Sequence, residues 1–280
     1  MIGCAIWAVA LSFFKIAEKY IDSSQINLIK NSVGLVFVAG WMFFTGGWNP
    51  GDVSLAWQLM FASGVIGMAF GDVFFLSAIG RLGVGKATSM ALLTPVLTLV
   101  LEFFILDRIP SAGSFSGMFL VLVGVFYLYG PVKNVSKEGF RLIFIACLCV
   151  AIAQVLARWS FDLDQDLSLG TSAFFRVFGG VVGMAFIMGK DLKSKYLSAI
   201  SKGPHLKPLM IGAFLGTGIG ICLYQSAAKL TTATQLSFLG TTTPIFAIPI
   251  AWIIAKEIPQ KRVIIGALIA IAGVSLIFLL

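Results

Sequence analysis

The chain has 280 residues, 59% hydrophobic and 11% charged, with a mean hydropathy of +0.99 and a net charge of +8. A soluble domain carries about a quarter charged residues, so this composition excludes an ordinary water-soluble fold. Apolar runs long enough to cross a hydrocarbon core of roughly 30 Å recur along the chain. They do not alternate polar with apolar residues, which excludes a transmembrane barrel.

The expected fold is therefore an all-α polytopic membrane protein. Ten spans are predicted, at 2–19, 27–46, 55–79, 85–106, 112–130, 139–160, 170–188, 207–228, 233–254 and 262–280. The first has no basic stretch ahead of its apolar run, since Lys15, Glu18 and Lys19 follow it. That pattern predicts an ordinary first helix, not a signal peptide. Breaks follow Gly46-Gly47-Trp48-Asn49-Pro50-Gly51, Asp107-Arg108-Ile109-Pro110, Gly130-Pro131 and Lys256-Glu257-Ile258-Pro259. The longest polar connection, Gly189 to Lys207, contains the single His205. Cys4, Cys147, Cys149 and Cys222 all fall within predicted spans without a metal-like pairing, so neither a metal site nor a disulfide is expected.

A shift of 149 residues aligns the chain with itself. Gly67 meets Gly216, Gly71 meets Gly220, Ser77-Ala78 meets Ser226-Ala227, and Thr94-Pro95 meets Thr243-Pro244. Ile105, Ile109-Pro110, Gly117 and Gly124-Val125 match Ile254, Ile258-Pro259, Gly266 and Gly273-Val274. Over positions 67–125, 12 of 59 residues are identical without a gap. The shared Gly, Pro and Thr register is stronger support than that count in so apolar a chain. Two repeats are expected, 1–131 and 132–280, each of five helices. An odd number of spans starts the second repeat on the opposite membrane face, so the repeats are inverted.

These residues carry a resemblance. The third span with Leu76-Ser77-Ala78-Ile79, Leu93-Thr94-Pro95-Val96 in the fourth, and their counterparts Gln225-Ser226-Ala227-Ala228 and Thr242-Thr243-Pro244-Ile245 resemble the EamA branch of the drug/metabolite transporter superfamily. Lys256-Glu257-Ile258 is similar to that family's Gly-Glu-Arg turn; Asp107-Arg108-Ile109 departs from it by one position. The resemblance implies export of small metabolites, amino-acid-like or nucleobase-like. It also implies a central cavity among spans 1, 3, 4, 6, 8 and 9.

Charge sets orientation. Sixteen Lys and Arg, Lys30 among them, fall on the face of the odd-to-even connections, against three on the other. The positive-inside rule puts the sixteen in the cytoplasm and both termini outside. The resemblance implies the opposite orientation. A bacterial inner membrane is the expected location. The basic connections account for the pI without a nucleic-acid partner.

Polar residues inside spans are the candidate substrate or coupling residues. Asp72 is the foremost, because a charge at mid-membrane costs about 2.5–3.5 kcal/mol and normally faces a cavity or partner. Protonation would remove much of that cost, making Asp72 a candidate proton carrier or amine ligand; a carboxyl that only packs helices is the other reading. Arg176 is a candidate ligand for a carboxylate, or a snorkelling side chain. Lys30, near a span end, reads as snorkelling, and Glu102 as an interfacial charge near Arg108. Trp7, Gln154, Tyr224, Gln225, Gln235 and Ser237 can bond a substrate or tie helix to helix. Pro95 and Pro244 are expected to bend their spans.

No nucleophile elbow, paired catalytic carboxylates or phosphate-binding glycine loop argues for an enzyme, and no cofactor is expected. Expected partners are a small-molecule substrate, the lipid bilayer and protons, in a monomer or homodimer. A non-transporting membrane scaffold or assembly factor is the alternative.

Overall fold

The computed structural model describes residues 2–44, 48–107, 112–129, 136–201 and 203–279. The described residues form helices throughout, with no strand among them. In chain order these are α1 (Ile2–Ala17), α2 (Ser23–Phe44), α3 (Ser54–Leu82), α4 (Val84–Leu106) and α5 (Ala112–Tyr129). Then come α6 (Lys137–Leu163), α7 (Leu169–Met188), α8 (Leu192–Ile200), α9 (Leu206–Leu230), α10 (Ala233–Ile254) and α11 (Lys261–Leu279). Among the described residues seven helices are long and apolar enough to cross a membrane; α1 and Ser116–Tyr127 of α5 are shorter apolar helices. The chain is thus an integral membrane protein. Gly46, Gly47, Arg108, Ile109, Pro110, Gly130, Pro131, Lys133 and Lys202, used above for breaks and charge bias, lie outside the described residues.

Local chemistry sets many helix ends. Ser136 and Ser168 accept hydrogen bonds from the Gly139 and Thr171 N–H groups at the starts of α6 and α7. Gly83, at φ +83°, separates α3 from α4. Asp107 and Lys256 end α4 and α10 with φ of 51° and 60°, and they are register mates under the 149-residue shift. The connection after α7 departs from the expected polar loop: Gly189–Asp191 winds into a short turn and 192–200 into α8.

Two helices contain matched irregularities. Gly64–Gly71 in α3 and Phe214–Ile219 in α9 wind as wider π turns. Such winding loosens the internal ladder, and here α2 takes up the carbonyls. Asn27 Nδ2 donates to Met68 O (2.8 Å) and Ala69 O (3.0 Å), and Asn31 Nδ2 to Met68 O (3.1 Å). Gly64 packs so closely on α7 that a Cβ there would stand 1.9 Å from the Arg176 carbonyl oxygen. The α3 glycines therefore serve helix approach. Pro95 and Pro244 each sit in the first turn of a new helical segment, after interruptions at 91–93 and 241–242. There a missing N–H removes no helical bond.

The helices α5 and α11 pack along each other through mated glycines. A Cβ on Gly124 would fall 2.5 Å from Ala270 N, and one on Gly273 2.6 Å from Val121 N. Gly266 O lies beside the first position and Gly117 O beside the second. Each contact is the register image of the other.

Asp164, just beyond α6, ties down the segment before α3. Its Oδ2 accepts from Val53 N–H (3.0 Å) and its Oδ1 from Asp166 N–H (2.9 Å). Gly51, at φ +76°, leaves room for this carboxylate: a Cβ would meet Oδ2 at 2.1 Å. The Val53 hydrogen bond leads the causes that hold the Asp164 pKa below the ordinary carboxylate value. A depressed folded-state pKa means stability present above the unfolded pKa and lost as pH falls through the folded one. Thermal midpoints of wild type and Asp164→Asn are thus expected to differ at neutral pH, with the variant lower. They should converge in acid below the usual aspartate range; a pH-independent gap would show that charge plays no part.

Candidate functional site

A cavity of about 650 Å³ opens among α1, α2, α3, α4, α6, α7, α9 and α10. Among the described residues three charged side chains line it: Lys30 from α2, Asp72 from α3 and Arg176 from α7. The volume falls in the usual range for small-molecule sites.

Lys30 and Asp72 form an ion pair at 2.6 Å, with Lys30 1% and Asp72 16% exposed. Lys30 Nζ also donates to Asn31 Oδ1 (3.0 Å) and lies 5.9 Å from the centre of the Trp7 ring. The expectation that Lys30 snorkels is therefore corrected. It stands two turns inside α2, too deep for its ammonium to escape, and meets a carboxylate instead. Lys30 accordingly leaves the set of connection charges.

Arg176 is 5% exposed. Its guanidinium carbon lies 4.2 Å from the centre of the Tyr224 ring, and Nη1 donates to Gln225 Oε1 at 3.3 Å. Burial at this depth corrects the snorkelling reading for Arg176 as well. Gln225 itself is fully buried, does not line the cavity, and holds Arg176 while its Nε2 donates to Met60 Sδ at 3.1 Å.

Trp7, Gln154, Tyr224, Ser237 and Pro95 line the cavity with the charged residues. Thr98, unnoticed in the sequence, ties two of them together: its hydroxyl lies 3.2 Å from Gln154 Oε1 and 3.4 Å from Ser237 Oγ. Gln235 stands outside the lining and completes a capping box with Thr232 at the start of α10. The Thr-x-x-Gln spacing was legible as that cap. Pro244 is likewise outside the lining.

Glu102 departs from its expected role as an interfacial charge. It is 3% exposed and its carboxylate accepts from Ala233 N–H (3.1 Å), Thr234 N–H (2.9 Å) and the Thr234 hydroxyl. It caps α10 from α4, where helix N–H groups are otherwise unpaired. Glu257 reciprocates, accepting from Val84 N–H (2.8 Å) and Gly85 N–H (3.5 Å) at the start of α4. The two carboxylates do not align under the 149-residue shift, so the repeat register does not mark them.

A helical membrane protein with such a cavity between its spans has the form of a small-molecule carrier. The chain belongs to the EamA-like transporter family, whose model matches residues 1–130 and 137–279. It is 25% identical to an "Uncharacterized transporter" of Archaeoglobus fulgidus over 218 residues, 78% of this chain and 74% of that protein. It is also 25% identical to an uncharacterized transporter of Synechocystis sp. over 243 residues, 80% of this chain and 66% of the relative. A crystal structure shares the fold with a TM-score of 0.69 at 13% identity, covering 98% of this chain and 93% of that one. Family and relatives indicate a membrane transporter of small molecules.

Proposed function

We propose that the protein is a proton-coupled secondary transporter that exports small organic metabolites by alternating access. The observation that carries this reading is the buried Lys30–Asp72 pair on the wall of the cavity. A proton taken up on Asp72 forms a carboxylic acid, breaks the charge pairing and leaves the Lys30 ammonium to seek another acceptor. Release of the proton restores the pair. A two-state ion pair of this kind links proton occupancy to the shape and charge of the cavity. Trp7, Gln154, Tyr224 and Ser237 provide aromatic and polar surface for the substrate, and Gln225 acts by holding Arg176.

Alternating access would come from two inverted five-helix repeats, 1–131 and 132–280. The matched π turns, the register-mated positive-φ residues Asp107 and Lys256, and the mirrored Gly124 and Gly273 contacts support that arrangement. The interruptions before Pro95 and Pro244 are the hinges. The basic bias that remains without Lys30 favours termini outside a bacterial inner membrane.

The test is radiolabelled amino-acid, nucleobase and organic monocarboxylate flux in proteoliposomes, with and without a pH gradient, beside Asp72→Asn. Gradient-stimulated flux should fall at least about tenfold in the variant, a change of about 1.4 kcal/mol in barrier. Flux unchanged by gradient and variant would retain a transporter and remove Asp72 from coupling. No flux across the panel would favour a scaffold.

A further inference from the structure

We infer that the cavity recognises an organic monocarboxylate with an apolar or aromatic body, its carboxylate seated on Arg176. This rests on the transport reading and assigns its substrate class. Among the described residues Arg176 has no acidic partner, although it is 5% exposed. Its one hydrogen bond to a side chain goes to the neutral Gln225 amide, and its Nε is buried without an acceptor. A buried charge held without a counterion is strongly unfavourable unless a ligand brings one. Guanidinium is also the side chain best shaped for a carboxylate, through paired N–H donors in one plane. The Tyr224 ring packs against this guanidinium, 4.2 Å from ring centre to guanidinium carbon.

Among the described residues two further groups lack partners: Tyr224 OH and Thr217 Oγ1 are buried and unbonded, and both residues belong to the lining of the same cavity as Arg176. A carboxylate has enough lone pairs to accept from guanidinium and hydroxyl together. Lys30 and Asp72 neutralise each other, so among the described residues the cavity's charged lining carries one surplus positive charge. A monoanion cancels it, whereas a zwitterion leaves it, and an amine adds to it. Phe75, Leu92, Ile221 and Leu236 supply apolar wall for the rest of the molecule.

The experiment measures thermal midpoints and apparent Kd of the purified protein at fixed ionic strength with phenylacetate, phenylacetamide, phenethylamine, phenylalanine and phenyl phosphate. Phenylacetate should stabilise the protein and bind about tenfold or more tighter than the neutral amide, equivalent to about 1.4 kcal/mol. Arg176→Gln should abolish that preference and raise the midpoint without ligand, because it removes an uncompensated charge. Equal binding of amide or amine, or no phenylacetate binding, overturns the proposal. So does tighter or equal binding of phenylalanine or phenyl phosphate. An Arg176→Gln protein that is less stable, or fails to fold, marks a structural arginine and also overturns it; the wild-type series stands independently of that variant. Carboxylate-selective binding without flux in proteoliposomes would keep the anion site and sink transport. Flux of solutes without carboxylate preference would do the reverse.

Discussion

Asp72→Asn is expected to destabilise the protein more than removal of the whole ion pair. Lys30 is 1% exposed and its ammonium sits 2.6 Å from the Asp72 carboxylate. Replacing the carboxylate leaves a buried cation whose remaining polar contact is Asn31 Oδ1. Breaking a buried pair from one side costs about 3–5 kcal/mol, while exchanging both partners for apolar groups is often neutral or stabilising. Lys30→Met with Asp72→Leu should therefore recover most of the loss of either single change. Unfolding in detergent of wild type, both singles and the double variant measures the coupling directly. Additive losses would show two independent residues. The same cycle separates stability from transport: the double variant should be well folded and insensitive to a pH gradient, which Asp72→Asn alone leaves ambiguous.

The second large effect belongs to Glu102. Its carboxylate bonds two N–H groups and a hydroxyl at the start of α10, in a nearly solvent-free setting. Glu102→Ala removes every acceptor and strands those donors, a loss of about 2–3 kcal/mol. Glu102→Gln keeps one oxygen and should lose less, since amide oxygen accepts more weakly and loses the attraction of the helix N-terminus for negative charge. The Thr232–Gln235 capping box is local to α10 and remains, so the helix should persist. Thermal unfolding of the two variants checks the order; equal midpoints for wild type and Ala would remove the capping role.

Hydropathy made the membrane class legible because a helix in lipid must be apolar over its whole crossing. Glycines, prolines and threonines hold one register under the 149-residue shift, and the same register relates the two π turns and the glycine contacts between α5 and α11. The charged residues were harder. Asp72 stood out by its depth, but its partner lies 42 residues away on another helix, and no local spacing joins them. Lys30 was misread because its distance from a predicted span end was short, while α2 begins earlier, at Ser23. Two opposite charges inside neighbouring spans were nevertheless a usable sign, since each is costly alone. Glu102 was beyond reach for the same reason as Asp72's partner: its acceptor role depends on α10, 131 residues on. Gln235 shows the opposite case, a polar residue whose local cap motif outweighed any role in a cavity.

The crossed carboxylates have a consequence for biosynthesis. Val84 N–H, at the start of α4, finds its acceptor in Glu257, 173 positions later. Gly83 before it offers no side chain to stand in. While the ribosome is still making α9 and α10, that helix start is inserted but uncapped, with its donors left to water or lipid headgroups. The start of α4 therefore reaches its final form only after Glu257 has been translated, whereas the start of α10 meets a carboxylate, Glu102, made 131 residues earlier.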